Sequence, residues 1–435
     1  MIELASIIIY IAAIIGVVAV SLMGKIHLGL LFLIPLFPLR NIVERMHQFP
    51  LGKDIIDIIL LTMILGWSLA AMSKKEKIFQ PSPFNKILFV MFVYTYLSVW
   101  KGSFYIGAAA PVTFSSVLLQ NWKNYMILPL LYFITFNNIK NIKQMKWLVI
   151  AIVFSMLLMD YYTVRQIRWM SGIMSRVRIK GTFESLGANE VAAFYAMYTF
   201  VLLGIIMFKV KKFFKLFIAP VIACNLFCIL FLYSRGAYVA VLASSAFLGL
   251  VKNKFILAGL LFIALFWNAF LPENVIERIR ETQNEGGELD NSSQDRLELW
   301  EKGMNMFKRN PLIGAGYGVV STLGFSVQDR EAVYRDTHNI YVKILAEQGI
   351  IGIIILVLLF RLAFKSGWQL FKSADDDFLK GLGLGFAACV IAAVLCNFFG
   401  DRWTYHQVGA YFWVFLALVV RGNIITEEQL SRTET

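Results

Sequence analysis

Charge is scarce in this chain: only 16% of its 435 residues are Asp, Glu, Lys or Arg, against about a quarter in ordinary soluble proteins. With 58% hydrophobic residues and a mean hydropathy of +0.67, that scarcity excludes a water-soluble domain and leaves a polytopic membrane protein. Cysteine is rare as well. Cys224, Cys228, Cys389 and Cys396 all fall in apolar runs with no cluster of His or carboxylates beside them, so they read as small buried hydrophobes rather than metal ligands or disulfides. Basic charge is lacking at the N-terminus, where Glu3 stands in place of the Lys or Arg of a secretory signal; the first apolar run is therefore expected to be a retained span. No repeat of the hydropathy pattern relates the two halves, which speaks against the inverted repeats of many transporters.

What is present is a series of long apolar runs. Crossings are expected near 3–22, 26–43, 54–72, 86–101, 112–136, 146–163, 190–208, 214–233, 236–251, 255–271, 339–361, 379–399 and 403–421, with Pro35 and Pro38 interrupting the second, which is open to a re-entrant reading. The fold class is thus an all-α integral membrane protein with 12 or 13 transmembrane helices. Its divisions are 1–272 (ten spans with short loops), 273–337 (a cap) and 338–435 (the last spans and a short cytoplasmic tail).

The formal charge of +13 could mean nucleic acid in a soluble protein, but here most Lys lies in short segments between apolar runs, and no nucleic-acid partner is expected. The loops at 73–86, 137–146, 209–215, 252–254 and 361–380 hold 17 basic residues, 16 of them Lys, which makes that face cytoplasmic by the positive-inside rule. The opposite segments hold 11, of which eight are Arg. Lys serves as a hydrated point charge near headgroups, whereas the planar Arg fork matches phosphate and carboxylate oxygens, so an outward Arg bias points to an anionic ligand. The outward segment 273–337, with 12 acidic and 8 basic side chains, is large enough to fold over a site. Its "ENVIERIRETQ" and "SSQDRLELWEKGMNMF" stretches have apolar residues at helical spacing, including Val275, Ile276 and Ile279, then Leu297, Trp300, Met304 and Phe307. "NEGGELDN" between them reads as a break, and "NPLIGAGYGVV" as a turn-rich segment at the membrane surface.

Of the four histidines, His338 alone stands where the cap meets an apolar span. An imidazole there can take a proton near neutral pH, the competing reading being an interfacial His without chemistry. Arg235, in "FLYSRGAYVA", places a guanidinium at the end of a span, where either an anionic partner or snorkelling to the interface accounts for it. Arg178 and Lys180 lie on a basic loop that ends at a helix N-terminus, an anion cradle or an ordinary basic loop. Arg296 lies on the cap, where pairing with Asp295 or Glu301 is the plain alternative. Together they suit diphosphate chemistry beside a membrane, with Arg forks on the diphosphate and His deprotonating an attacking hydroxyl.

At these residues the sequence resembles the bacterial O-antigen ligase and Wzy-type polysaccharide polymerase superfamily. His338-Asn339, followed after nine residues by Gly349 and then Gly352, fits the family pattern H-[NSQ]-x9-G-x-x-[GTY]. "SRGAYVA" at 234–240, "DRLELWEKGMNMFKRNPLIGAGYG" at 295–318 and "RIKGTFESLGANEVAAF" at 178–194 resemble its other conserved segments; the first half of the chain matches only in hydropathy. The resemblance implies a metal-independent inner-membrane transferase without a cofactor. Its donor would be a glycan on undecaprenyl diphosphate, reached from the periplasm, and its acceptor a lipid A core sugar or a second lipid-linked glycan. It also implies His338 as catalytic base and Arg178, Arg235 and Arg296 as diphosphate-binding residues, with Lys180 sharing the diphosphate-binding role of Arg178. Ligase and polymerase stay open here. Transfer to protein ranks behind both, and a transporter or flippase for an anionic lipid-linked glycan is the alternative from another class.

Overall fold

The computed structural model describes residues 2–49, 51–113, 115–171, 179–183, 186–270, 272–280, 291–326, 333–334 and 336–433. Among them the first half supplies α1 (Ile2–Leu22), α2 (Ile26–Leu36), α3 (Arg40–Met46), α4 (Ile55–Ser73), α5 (Asn85–Tyr105), α6 (Val117–Asn138), α7 (Ile142–Ser171) and α8 (Ala188–Ile206). The second half supplies α9 (Lys212–Phe231), α10 (Arg235–Val251), α11 (Lys254–Phe270), α12 (Glu273–Arg280), α13 (Asn291–Arg309), α14 (Val319–Leu323), α15 (Ile340–Ser373), α16 (Asp377–Phe398) and α17 (His406–Thr433). The chain is an all-α, multi-pass membrane protein; among the described residues its one sheet is a two-residue antiparallel pair, Phe325–Ser326 with Val333–Tyr334.

Every expected crossing overlaps helix, the fifth only from Val117 and the last only from His406, yet the elements differ in their ability to span. Eight described helices are long and apolar enough to cross a membrane, nine if α2 and α3 count as one. That pair bends by 103°, because Pro35 removes a backbone donor inside α2 and Pro38 lies in the break before α3. The apolar part of α1 (Tyr10–Leu22), α10 and the Lys254–Ala269 part of α11 are shorter. α6 is long enough but carries Gln120, Asn121, Lys123 and Asn124 in its first turns. At the other end, α17 continues to Thr433 without a break, carried by the helix formers of "ITEEQLSR".

Burial separates a centre from a rim. Of the apolar stretch of α17, 89% is buried, against 33% for α9. α8 and α16 also sit at the centre, and they approach closely because glycine lines their contact: a Cβ on Gly204 would meet the Gly385 Cα at 2.4 Å. Such small-residue seams suit membrane helices, which gain by van der Waals contact rather than by expelling water. On α4, Leu61, Leu65 and Leu69 recur at helical spacing and are all exposed, an apolar stripe that fits a lipid-facing surface.

α13 docks on the start of α15 through the expected Trp300, which packs on Phe398, but its contact face is turned away from Leu297. Leu299 is fully buried while Leu297 is half exposed, because the contact runs through Gly303, whose missing side chain leaves room for Val342 of α15. α12 buries Val275 and Ile276 as its spacing requires.

Candidate active site

The segment that follows α13, "NPLIGAGYG", does more than lie at a surface: it wedges into α15. Gly349 has φ 64° and ψ −161°, so α15 is two helices joined at a kink, 340–348 and 350–373. A Cβ there would meet the Leu312 carbonyl carbon at 2.5 Å, and one on Gly314, also left-handed, would meet the Glu347 carbonyl carbon at 2.2 Å. Only glycine permits both the turn and the approach. The backbone groups released by the break find partners in the wedge: Ala315 N–H donates to Ala346 O (2.8 Å), Gly316 N–H to Glu347 O (2.7 Å) and Ile350 N–H to Pro311 O (2.9 Å). Non-helical backbone is tolerated at membrane depth when protein satisfies it in this way. Since 350–373 alone is about 36 Å long at ~1.5 Å per residue, the first half of α15 is free to build a site.

His338 immediately precedes that half-helix. Asn339 caps it, its side-chain oxygen accepting from Tyr341 N–H (2.9 Å) and Val342 N–H (3.2 Å). Thr337, fully buried, is tied to α13 by Trp300, whose indole N–H donates to the Thr337 carbonyl at 3.0 Å. Between them His338 holds φ 51°, a left-handed conformation uncommon outside glycine. Its Nδ1 lies 3.7 Å from Asp336 Oδ2. Burial lowers the His338 pKa from the ordinary imidazole value; Asp336 pulls it back up, while the Arg296 and Arg402 charges lower it further. A histidine so placed is neutral near pH 7 and able to accept a proton.

Behind His338 runs a buried chain of charges. Lys343 Nζ meets Asp401 Oδ2 at 2.8 Å, and Arg402 Nη1 meets Glu190 Oε1 at 2.7 Å. Burial pushes the Asp401 carboxyl up, but Lys343 and the Thr404 hydroxyl and N–H outweigh it and hold the pKa below the usual range. Gly400 lets the Arg402 guanidinium lie against its backbone, where a Cβ would stand 2.3 Å from Nη1. Lys343 also borders a polar cavity of about 390 Å³ whose walls include Arg40, Asn121, Asn124, Glu347 and Tyr405. Amide and phenol groups of this kind, in a concave site, are suited to hydroxyl-rich ligands.

The structure brings three of the expected residues into one neighbourhood. Arg235, at the start of α10, places Nη2 3.4 Å from the Ser293 hydroxyl of α13. Arg296 lies one turn further along that helix, close enough for its charge to act on His338. Lys180 is exposed on a loop anchored elsewhere: Gly181 N–H donates to Gln166 of α7, and the Thr182 hydroxyl to the Pro38 carbonyl. Arg178 lies outside the described residues. His406, which its sequence position does not single out, lines the cavity. Sequence reasoning misses Lys343, Glu347, Asp401, Arg402 and Glu190, although Lys343 and Glu347 carry a legible sign: opposite charges four residues apart inside an apolar span. Among the described residues no group of three or more His, Cys, Asp or Glu is arranged to hold a metal ion.

One comparison with known proteins falls on the stretch that holds Arg235, Arg296 and His338. Residues 220–357 match the O-antigen ligase family (Wzy_C). Over 136 residues the chain is 28% identical to the exopolysaccharide production protein ExoQ of Rhizobium meliloti (strain 1021). That alignment covers 29% of this chain and 31% of the relative, so the match spans under a third of either.

Proposed function

We propose, from the match of residues 220–357 to the O-antigen ligase family, that the chain is a glycosyltransferase of the bacterial inner membrane. It moves a glycan from undecaprenyl diphosphate to a sugar hydroxyl, with its active site on the periplasmic side. The observation that carries this reading is the grouping of a half-buried His338 with Arg235 and Arg296 at the junction of α13 and α15.

In this reading Arg235 and Arg296 bind the diphosphate and offset the charge that develops as it leaves. They do so without a metal. The acceptor hydroxyl attacks the anomeric carbon, the bond from that carbon to the diphosphate oxygen breaks, and undecaprenyl diphosphate departs with the electron pair. His338 takes the hydroxyl proton, and Asp336 beside Nδ1 steadies the imidazolium. The polar cavity at Lys343 and Asn121 receives the sugar. Orientation is supported by the charge pattern, since the Lys-rich loops 137–146, 209–215 and 361–380 meet at the far end of α15 from His338.

On acceptor, the likeness to an exopolysaccharide production protein favours polymerisation, in which the acceptor is a second lipid-linked glycan. The family description favours ligation to lipid A core. The test is to supply the full chain, in vesicles, with an undecaprenyl-diphosphate-linked glycan and each acceptor. Release of undecaprenyl diphosphate with a lengthened glycan is expected. Movement of the intact donor across the bilayer, with no release under any acceptor, would make the chain a flippase and overturn the proposal.

A further inference from the structure

At the opposite end of the molecule from His338, a second cavity of about 550 Å³ opens where the starts of α7, α9 and α16 come together. α15 begins beside His338 and ends three residues before Asp376 in the cavity wall, which places the cavity at the far face of the membrane. Four lysines border it, Lys143, Lys146, Lys209 and Lys211, against two carboxylates, Asp376 and Asp377. Asp376 is partly engaged already, capping α16 through the Phe378 and Leu379 amides (2.9 and 3.0 Å) and standing 3.8 Å from Lys146. Lys143, Lys209 and Lys211 are exposed. The first turns of three helices add their positive dipole ends to the same space.

The rim carries a different chemistry. Trp147 is 53% exposed and Phe213 75% exposed, both bordering the cavity. A soluble anion has no use for exposed aromatic faces, whereas a headgroup with attached acyl chains brings phosphate and apolar surface together, and aromatic residues favour that depth of a membrane. Lysine fits such a ligand, since a hydrated point charge on a flexible stem follows a mobile phosphate without demanding the fixed geometry of an Arg fork. Basic pockets between helices on the cytoplasmic side are recognised anionic-lipid sites on physical grounds.

We propose that this cavity binds the phosphate headgroup of an anionic phospholipid, held by Lys143, Lys146, Lys209 and Lys211 with Trp147 and Phe213 against the acyl chains. The site is separate from glycan transfer and does not depend on it.

The experiment uses the full chain in neutral detergent, exposed to mixed micelles of phosphatidylglycerol or of phosphatidylcholine, with retained lipid counted by mass spectrometry. Near an anionic surface each lysine contributes roughly a fivefold gain, so phosphatidylglycerol should be retained at least about tenfold over phosphatidylcholine. The triple variant Lys143→Gln, Lys209→Gln, Lys211→Gln should lose that preference, while a control with the same loss of charge elsewhere, Lys53→Gln, Lys86→Gln, Lys254→Gln, should keep it. Trp147→Ala with Phe213→Ala leaves every charge in place and should still lower phosphatidylglycerol retention severalfold. Equal retention of the two lipids, or an unchanged preference in the Lys triple variant, overturns the proposal. So does displacement of the lipid by excess inorganic phosphate, which would make the cavity a soluble-anion site.

Discussion

At the His338 end of α15, Lys343 and Asp401 meet at 2.8 Å with side chains 12% and 0% exposed; at the other end Lys146 and Asp376 stand 3.8 Å apart and are 41% and 33% exposed. The first pair has exchanged water for fixed partners, including the Trp403 and Thr404 amides on Asp401. The second keeps its hydration. Desolvated charges hold their positions because each partner lost would strand a buried ion. Hydrated ones move with little penalty. A site that must present a base to a reacting hydroxyl needs the first kind of arrangement, and a surface that follows lipid headgroups needs the second.

The widest separation between the two ends should appear in turnover. His338→Ala, and His338→Gln likewise, should slow glycan transfer by about 10² to 10⁴-fold with donor binding near normal, whereas Lys143→Gln should leave the rate unchanged. A His338→Gln enzyme working at the wild-type rate would reduce His338 to a positioning residue.

Stability gives the next contrast. Lys343→Met strands buried Asp401 and should destabilise by about 3–5 kcal/mol, read as a loss of thermal stability in detergent. Lys146→Met breaks a solvated pair and should fall within about 1 kcal/mol of wild type. Similar losses for the two would erase the contrast between buried and hydrated pairs.

A smaller effect, on the order of 1–3 kcal/mol, is expected of Gly349→Ala, which adds a Cβ at φ 64° and presses it against the Leu312 backbone. Gly259→Ala, in a helix with open space around it, should be neutral or slightly stabilising. Thermal melts of the two variants side by side measure the difference, and equal melting temperatures would show that the break in α15 tolerates a side chain.

The mildest change concerns pH. Because burial lowers the His338 pKa, the neutral base should persist as pH falls past the ordinary imidazole value of about 6.5, and kcat/KM should decline only below it. Asp336→Asn removes the charge that raises this pKa, so it should shift the acid limb further down. A limb at or above the ordinary value, or an upward shift in the variant, contradicts a buried neutral base.

Class and helices were legible because hydropathy is local: each apolar run declares its need for lipid or protein wherever the chain goes. The position of His338 at the head of a span was legible too, from the change there from a polar to an apolar stretch. The reason for Gly349 was not. Gly349 matters because "NPLIGAGYG" folds back into α15 and takes up the backbone groups that the break releases. Leu299 rather than Leu297 faces inward because Gly303 chooses the contact with Val342. Lys343 and Asp401 lie 58 residues apart, and Glu190 and Arg402 lie 212 apart. The chain alone declares that such charges inside apolar surroundings need partners, but which partner each one finds follows from the packing of α8, α15 and the loop after α16, since pairing depends on distance in space.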